Sequence, residues 1–313
     1  MTTRRSVRRG GATDELSLNS SPEYSEMVSL EDSPMEDTLL VERNNNNNED
    51  EGGLRHEDDA EEPVADESSA LHPIVSKIQR YTNVVSHLLA ISLILVVYWW
   101  ISKLGGLSWQ AGHAKQVFNW HPLLMVTAFS FMTVSSLSFR APWKHADRNV
   151  NKFVHALSWL VAALSAAVGL IAVFRSHNDS VSGYIANLYS LHSWIGTLVV
   201  ILYIAQFILG VRAFGGIAVL ANPRWSPSWK RLLLQFHVVV GPWIYTLTGV
   251  TILLGIQEKE GFVGCAYHVD TPDLFPLQHW GKIPPPCLVS HMLGLLVFMT
   301  LISTGIALAE FRR

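Results

Sequence analysis

The chain has 313 residues, 49% of them hydrophobic, with 23 Lys and Arg against 26 Asp and Glu. Residues 1–70 hold 19 of the acidic and 6 of the basic residues, a net −13 that leaves +10 on the remainder. That partition, beside several apolar stretches long enough to cross a bilayer, excludes an ordinary water-soluble domain and gives no reason to expect a nucleic-acid partner.

Residues 1–75 read as a disordered acidic cytoplasmic tail. Its acidic runs, the tract from Asn44 to Asn48 and its few aromatics leave too little apolar surface to offset chain entropy. Met1 to Arg9 is basic but is followed by no apolar stretch, so no signal peptide is expected and the first span itself opens translocation. Residues 76–313 predict an all-α membrane domain of six spans, each able to cross about 30 Å of hydrocarbon at about 1.5 Å per residue. The spans run about 82–103, 121–139, 153–174, 190–212, 234–256 and 287–309.

His87 lies in the first span. His121 opens the second within FNWHPLLM, where Pro122 suits a helix start. His155 opens the third within NKFVHALSW, His192 the fourth within NLYSLHSWIG, and His237 lies early in the fifth within FHVVVG; His291 is in the sixth. Consecutive spans run in opposite directions, so His121 and His192 share one membrane face and His155 and His237 the other. An ionisable side chain in the membrane is costly and marks function by default. Two facing imidazole pairs are what two six-coordinate haems require as axial ligands, with the irons roughly 20 Å apart across the bilayer. There is no Cys-x-x-Cys-His, so such haems are b-type. Gly196 and Gly241 follow His192 and His237 by four residues and lie one turn along the same faces. They leave room either for a porphyrin plane or for close helix packing.

The short loops on the tail side carry twelve Lys and Arg, including Arg148, Lys152, Lys230 and Arg231, against five on the opposite side. Both termini are therefore expected in the cytoplasm, with His155 and His237 near that surface. Arg148 and Lys152 precede His155 by seven and three residues, and Lys230 and Arg231 precede His237 by seven and six. Such a cluster attracts a small anionic reductant, although basic loops of this kind also serve topology alone. Cys265 and Cys287 flank the longest loop on the other side, as a disulfide or as two thiols.

Taken in order, FNWHPLLM, the Lys-x-x-His of KFVH, NLYSLHSWIG and the stretch from FHVVVG to LLGIQEK resemble the cytochrome b561 family of ascorbate-reducible dihaem membrane cytochromes, over about residues 82–309. The resemblance implies a four-helix core of spans two to five, with one haem on His121 and His192 and the other on His155 and His237. It implies ascorbate as cytoplasmic donor near Lys152, with Arg148 and Lys230 or Arg231 assisting. On the far side it implies reduction of monodehydroascorbate or a ferric chelate, near His177 of FRSH. The stretch from His177 to His192 is a few residues longer than the family pattern, and the cysteine-flanked loop and acidic tail fall outside it. The rival reading is a proton-coupled transporter that uses the histidines as a relay, against which the spans lack buried Asp or Glu. The acceptor, the membrane and the oligomeric state, a homodimer included, stay open.

Overall fold

The computed structural model describes residues 67–140, 147–214, 226–265 and 285–309. They form seven helices and no strand: α1 (Glu67–Lys103), α2 (Ala114–Phe118), α3 (Trp120–Leu137), α4 (Arg148–His177), α5 (Leu191–Phe214), α6 (Pro227–Val263) and α7 (Pro285–Leu308). Six spans result, with α2 and α3 together making the second. The acidic tail up to residue 66, four of the twelve basic residues on the tail side (Lys144, Arg224 and the C-terminal pair Arg312 and Arg313), and the loop between the cysteines from residue 266 to 284 lie outside the described residues.

The helices outrun the apolar stretches that predict them. At 1.5 Å per residue the 30 residues of α4 reach about 45 Å and the 37 of α6 about 55 Å, well beyond a hydrocarbon core of about 30 Å. Apolar composition marks what sits in lipid, whereas the backbone ladder continues through polar turns until something stops it. For the same reason α1 begins at Glu67, inside the expected tail boundary at residue 75. The stops are local. Asp147 caps α4 by accepting from the Asn149 amide at 2.6 Å, Ser226 caps α6 with Pro227 at its first position, and Gly264 ends α6 at φ +73°.

Helix α3 packs chiefly on α4 and α5 on α6, so the second to fifth spans form two antiparallel hairpins, while α1 and α7 pack on each other and against α3 and α6. The buried centre contains Leu93, Trp100, Phe129, Met132, Trp159, Tyr203 and Ile244. Large apolar side chains such as Leu164, Ile171, Leu198, Ile201, Leu295 and Phe298 remain exposed, as a lipid-facing surface requires. Buried hydroxyls are satisfied across helices: Thr133 bonds Tyr245 at 2.9 Å, Tyr245 donates to Thr304 at 3.2 Å, Ser86 bonds Ser303 at 2.8 Å, and Ser130 donates to the Ala90 carbonyl at 2.9 Å. Helices α6 and α7 touch so closely at Gly249 that a Cβ there would stand 2.7 Å from Leu301 Cδ2.

Of the two states left open for the cysteines, the bridge is the one formed. Cys265 and Cys287 are joined with Cα atoms 5.6 Å apart, which ties the end of α6 to the start of α7. At the same end Asp179 fastens two loops. Its carboxylate accepts from the amides of Val181 at 2.9 Å and Ser182 at 3.3 Å and, across to the loop before α2, from Gly112 at 2.8 Å. Gly112 has φ +79°, and a Cβ there would press on Val181 Cγ1 at 3.2 Å. The Val181 amide, with those of Gly112 and Ser182, holds the Asp179 carboxyl below its ordinary 3.8. A depressed carboxylate stabilises the fold above its unfolded pKa and loses that contribution as pH falls through the folded value. Asp179→Asn is therefore expected to lower the thermal midpoint at pH 7, and the gap from wild type should close on acidification below 3.8.

Candidate functional site

His121 and His192 are each the second residue of their helix, α3 and α5, and their ring centres lie 6.1 Å apart at an interplanar angle of 86°. His155 on α4 and His237 on α6 lie 5.9 Å apart at 65°. An imidazole nitrogen sits about 2 Å from a bound transition metal, so two rings that share one metal have centres about 6 Å apart. Both pairs have that separation.

Three of the four rings are aimed by the antiparallel neighbour, and the fourth histidine is held by its backbone. His121 Nδ1 donates to the Gly169 carbonyl on α4 at 3.1 Å, and His155 Nδ1 returns to Ser135 of α3, 3.0 Å from its carbonyl and 2.9 Å from its hydroxyl. In the other hairpin His192 Nδ1 donates to the Thr251 carbonyl at 2.9 Å, and Gln206 Nε2 donates to the carbonyl of His237 at 2.8 Å. The four intervals along the helices, 121 to 135, 155 to 169, 192 to 206 and 237 to 251, are each fourteen residues. Fourteen residues rise about 21 Å, so the two pairs lie that far apart along the bundle. A backbone carbonyl only accepts, so Nδ1 carries the proton in His121 and His192, and Nε2 keeps its lone pair for a metal. His237 Nδ1 is buried without a hydrogen-bond partner among the described residues.

Among the described residues no three His, Cys, Asp or Glu side chains gather round one point. Two imidazoles from opposite sides suit a metal whose remaining ligands come from a planar macrocycle. Gly196 and Gly241, for which a porphyrin plane and close helix packing were both open, each have a neighbouring helix within reach. A Cβ on Gly196 would meet Thr251 Cγ2 at 3.3 Å, a tight contact, and one on Gly241 would meet Gln206 Nε2 at 3.7 Å, an ordinary one. The glycines beside the imidazoles are Gly255, whose Cβ would fall 2.8 Å from His192 Cε1, and Gly210, at 3.4 Å from His237 Cε1. Gly169 lets α3 approach α4, with Met125 Cε 3.1 Å from where its Cβ would stand. These residues are on partner helices, and the fourteen-residue offset from each histidine is the signal that reaches Ser135, Gly169, Gln206 and Thr251.

At the His121 end, His177 stacks on Phe118 with centres 6.4 Å apart, and Phe118 lies 5.8 Å from the His121 ring. Asn187 Oδ1 holds His177 Nδ1 at 3.1 Å. Leu188 turns the chain at φ +56°, ahead of Tyr189, whose hydroxyl donates to Glu258 Oε1 at 2.5 Å. Partial burial, then the Glu258 carboxylate, push the Tyr189 phenol up, so it stays a donor. Tyr189, Glu258, Gln257, Phe262 and His192 line a cleft of about 310 Å³. At the other end Arg148, Lys152, Lys230 and Arg231 are exposed on the first turns of α4 and α6. His87 Nδ1 donates to Asn83 of its own helix at 2.8 Å, and His291 pairs with Glu260 at 3.3 Å.

Residues 120–263 match the family model of eukaryotic cytochrome b561. The chain is 34% identical to a plasma membrane ascorbate-dependent reductase CYBRD1 of Xenopus laevis, over 67% of each chain. It is 34% identical to a probable ascorbate-specific transmembrane electron transporter 2 of Oryza sativa subsp. japonica, over 57% of this chain and 72% of that one. It is 38% identical to a lysosomal membrane ascorbate-dependent ferrireductase CYB561A3 of Mus musculus, over 58% and 71%. The contact at Gly255 gives a local test. Gly255→Ala is expected to cost about 1–3 kcal/mol of stability by overpacking and to displace the His192 ring from Thr251. The displacement would be read as a changed Nδ1 signal in ¹⁵N-histidine NMR, with Gly210→Ala leaving His237 unmoved.

Proposed function

The chain belongs to the cytochrome b561 family, and from that premise we propose that it carries electrons from cytoplasmic ascorbate, through two b haems, to a non-cytoplasmic acceptor, monodehydroascorbate or a ferric chelate. It is a multi-pass membrane oxidoreductase. One observation carries the two-haem reading: paired imidazoles at 6.1 and 5.9 Å, one pair fourteen residues along every helix from the other.

The donor set fits haem. A b haem bound by two histidines supplies reversible one-electron exchange and leaves no coordination position open. The protein's part is to hold the ligands, keep water out and steer the partners. Carbonyls of Gly169 and Thr251 fix the tautomers of His121 and His192, and Ser135 orients His155, which makes the free nitrogens better donors. A histidine relay for protons would string imidazoles across the membrane, whereas these stand in pairs at two depths.

The ends differ in what they attract. Exposed Lys152, Arg148, Lys230 and Arg231 make a basic surface beside the His155 and His237 pair, suited to anionic ascorbate. Twelve basic residues in and beside the connections on that side, against five on the other, support a cytoplasmic position for that end and for both termini. His177, one ring removed from His121 through Phe118, then belongs to the acceptor side.

His155→Ala and His121→Ala are each expected to lower haem from two to one per chain in the reduced-minus-oxidised spectrum, and an unchanged count would remove that ligand from the assignment. Lys152→Ala should slow reduction by ascorbate about tenfold, the worth of one charge-assisted contact, while the dithionite-reduced spectrum stays that of wild type. Normal ascorbate kinetics would leave Lys152 a topology charge only.

A further inference from the structure

At the end of the bundle that holds His121 and His192, a half-buried cation sits against a buried amide and an aromatic ring with no carboxylate partner among the described residues. Lys259 is half-buried near the end of α6. Its ammonium lies 3.5 Å from Asn119 Oδ1 and 4.4 Å from the centre of the Phe118 ring. Asn119 is buried, and its Nδ2 donates to the carbonyls of Leu104 and Gly106 at 3.2 and 2.8 Å. Both amide hydrogens are thus committed, which turns Oδ1 toward Lys259 and keeps it there.

The described carboxylates at this end make their contacts elsewhere, although Glu258 keeps one buried oxygen, Oε2, without a partner among the described residues. Asp179 accepts from Gly112, Val181 and Ser182; Glu258 accepts from Tyr189; Glu260 accepts from Ser290 and pairs with His291. An ammonium with three donors is left with one long contact to a neutral amide and the face of a ring. A partly buried charge is costly unless an opposite charge meets it. Phe118 brings the same spot next to His177, which stacks on it, and to His121.

Resting on the function proposed above, we propose that Lys259 is a carboxylate-binding residue of the outer site, held out by Asn119 and Phe118. The carboxylate belongs to the acceptor chelate or to the bound porphyrin. A compact ammonium suits either, since it needs no bidentate geometry.

The test uses the full chain in nanodiscs, reduced with dithionite and mixed with anionic ferric citrate or cationic hexaammineruthenium(III), for wild type, Lys259→Met and Lys259→Arg. If the acceptor supplies the carboxylate, Lys259→Met lowers the ratio of the ferric citrate rate to the ruthenium rate about tenfold, and Lys259→Arg recovers most of it. If the porphyrin supplies it, that ratio holds and the midpoint potential of one haem falls in a redox titration. An unmoved ratio with unmoved midpoints overturns the inference alone. A wild-type chain that binds no haem overturns the proposed function as well, and Lys259→Gln, which keeps a donor on a flexible stem, replaces Lys259→Met should the latter not assemble.

Discussion

Two antiparallel registers hold the arrangement of this bundle. In the hairpin of α3 and α4, His121 meets Gly169 while Ser135 meets His155; in the hairpin of α5 and α6, His192 meets Thr251 while Gln206 meets His237. A slip of one residue between partners moves a side chain about 1.5 Å along the axis and about a quarter turn around it. Both ends of a hairpin would lose their contacts together. The imidazole pairs are therefore placed by two choices of register and not by four separate ones, and each pair takes one ring from each hairpin.

In lipid no hydrophobic force pushes helices together, so the register must be held by packing and by local polar contacts. Small residues set the approach at Gly169 and Gly249. The hydroxyl contacts through Thr133, Tyr245 and Thr304 fasten α3, α6 and α7 to one another, and Ser130 fastens α3 to α1. Each is worth about 0.6 kcal/mol on average in a membrane, so the outer helices act by number and shape more than by any single bond. α1 and α7 carry none of the four paired histidines, yet they brace the two hairpins that do.

The six spans and the pairing of the four histidines were legible because both follow from rules that act along one chain: apolar length and the alternation of helix direction. What lay across helices was not. Gly196 and Gly241 are one turn from their histidines along the same helix, and they turn out to face Thr251 and Gln206, while the glycines that adjoin the rings, Gly255 and Gly210, come from the partner helix. The residues that orient the imidazoles were hidden for the same reason, although a constant offset of fourteen connects them once the antiparallel packing is known. Helix ends lie beyond the expected spans because hydropathy measures the solvent and not the backbone ladder. The cysteine bridge stayed open because sequence carries no Cα separation.

Equal offsets in all four helices give the core an approximate two-fold likeness, each hairpin offering one ring at either depth and the same span of protein between. A core built that way has no direction in its spacing. Direction enters at the two ends, where exposed cations stand at one and a ring-stacked histidine with a held ammonium at the other. A change of side chains at one end can then retune that end while the spacing between the pairs stays as it is.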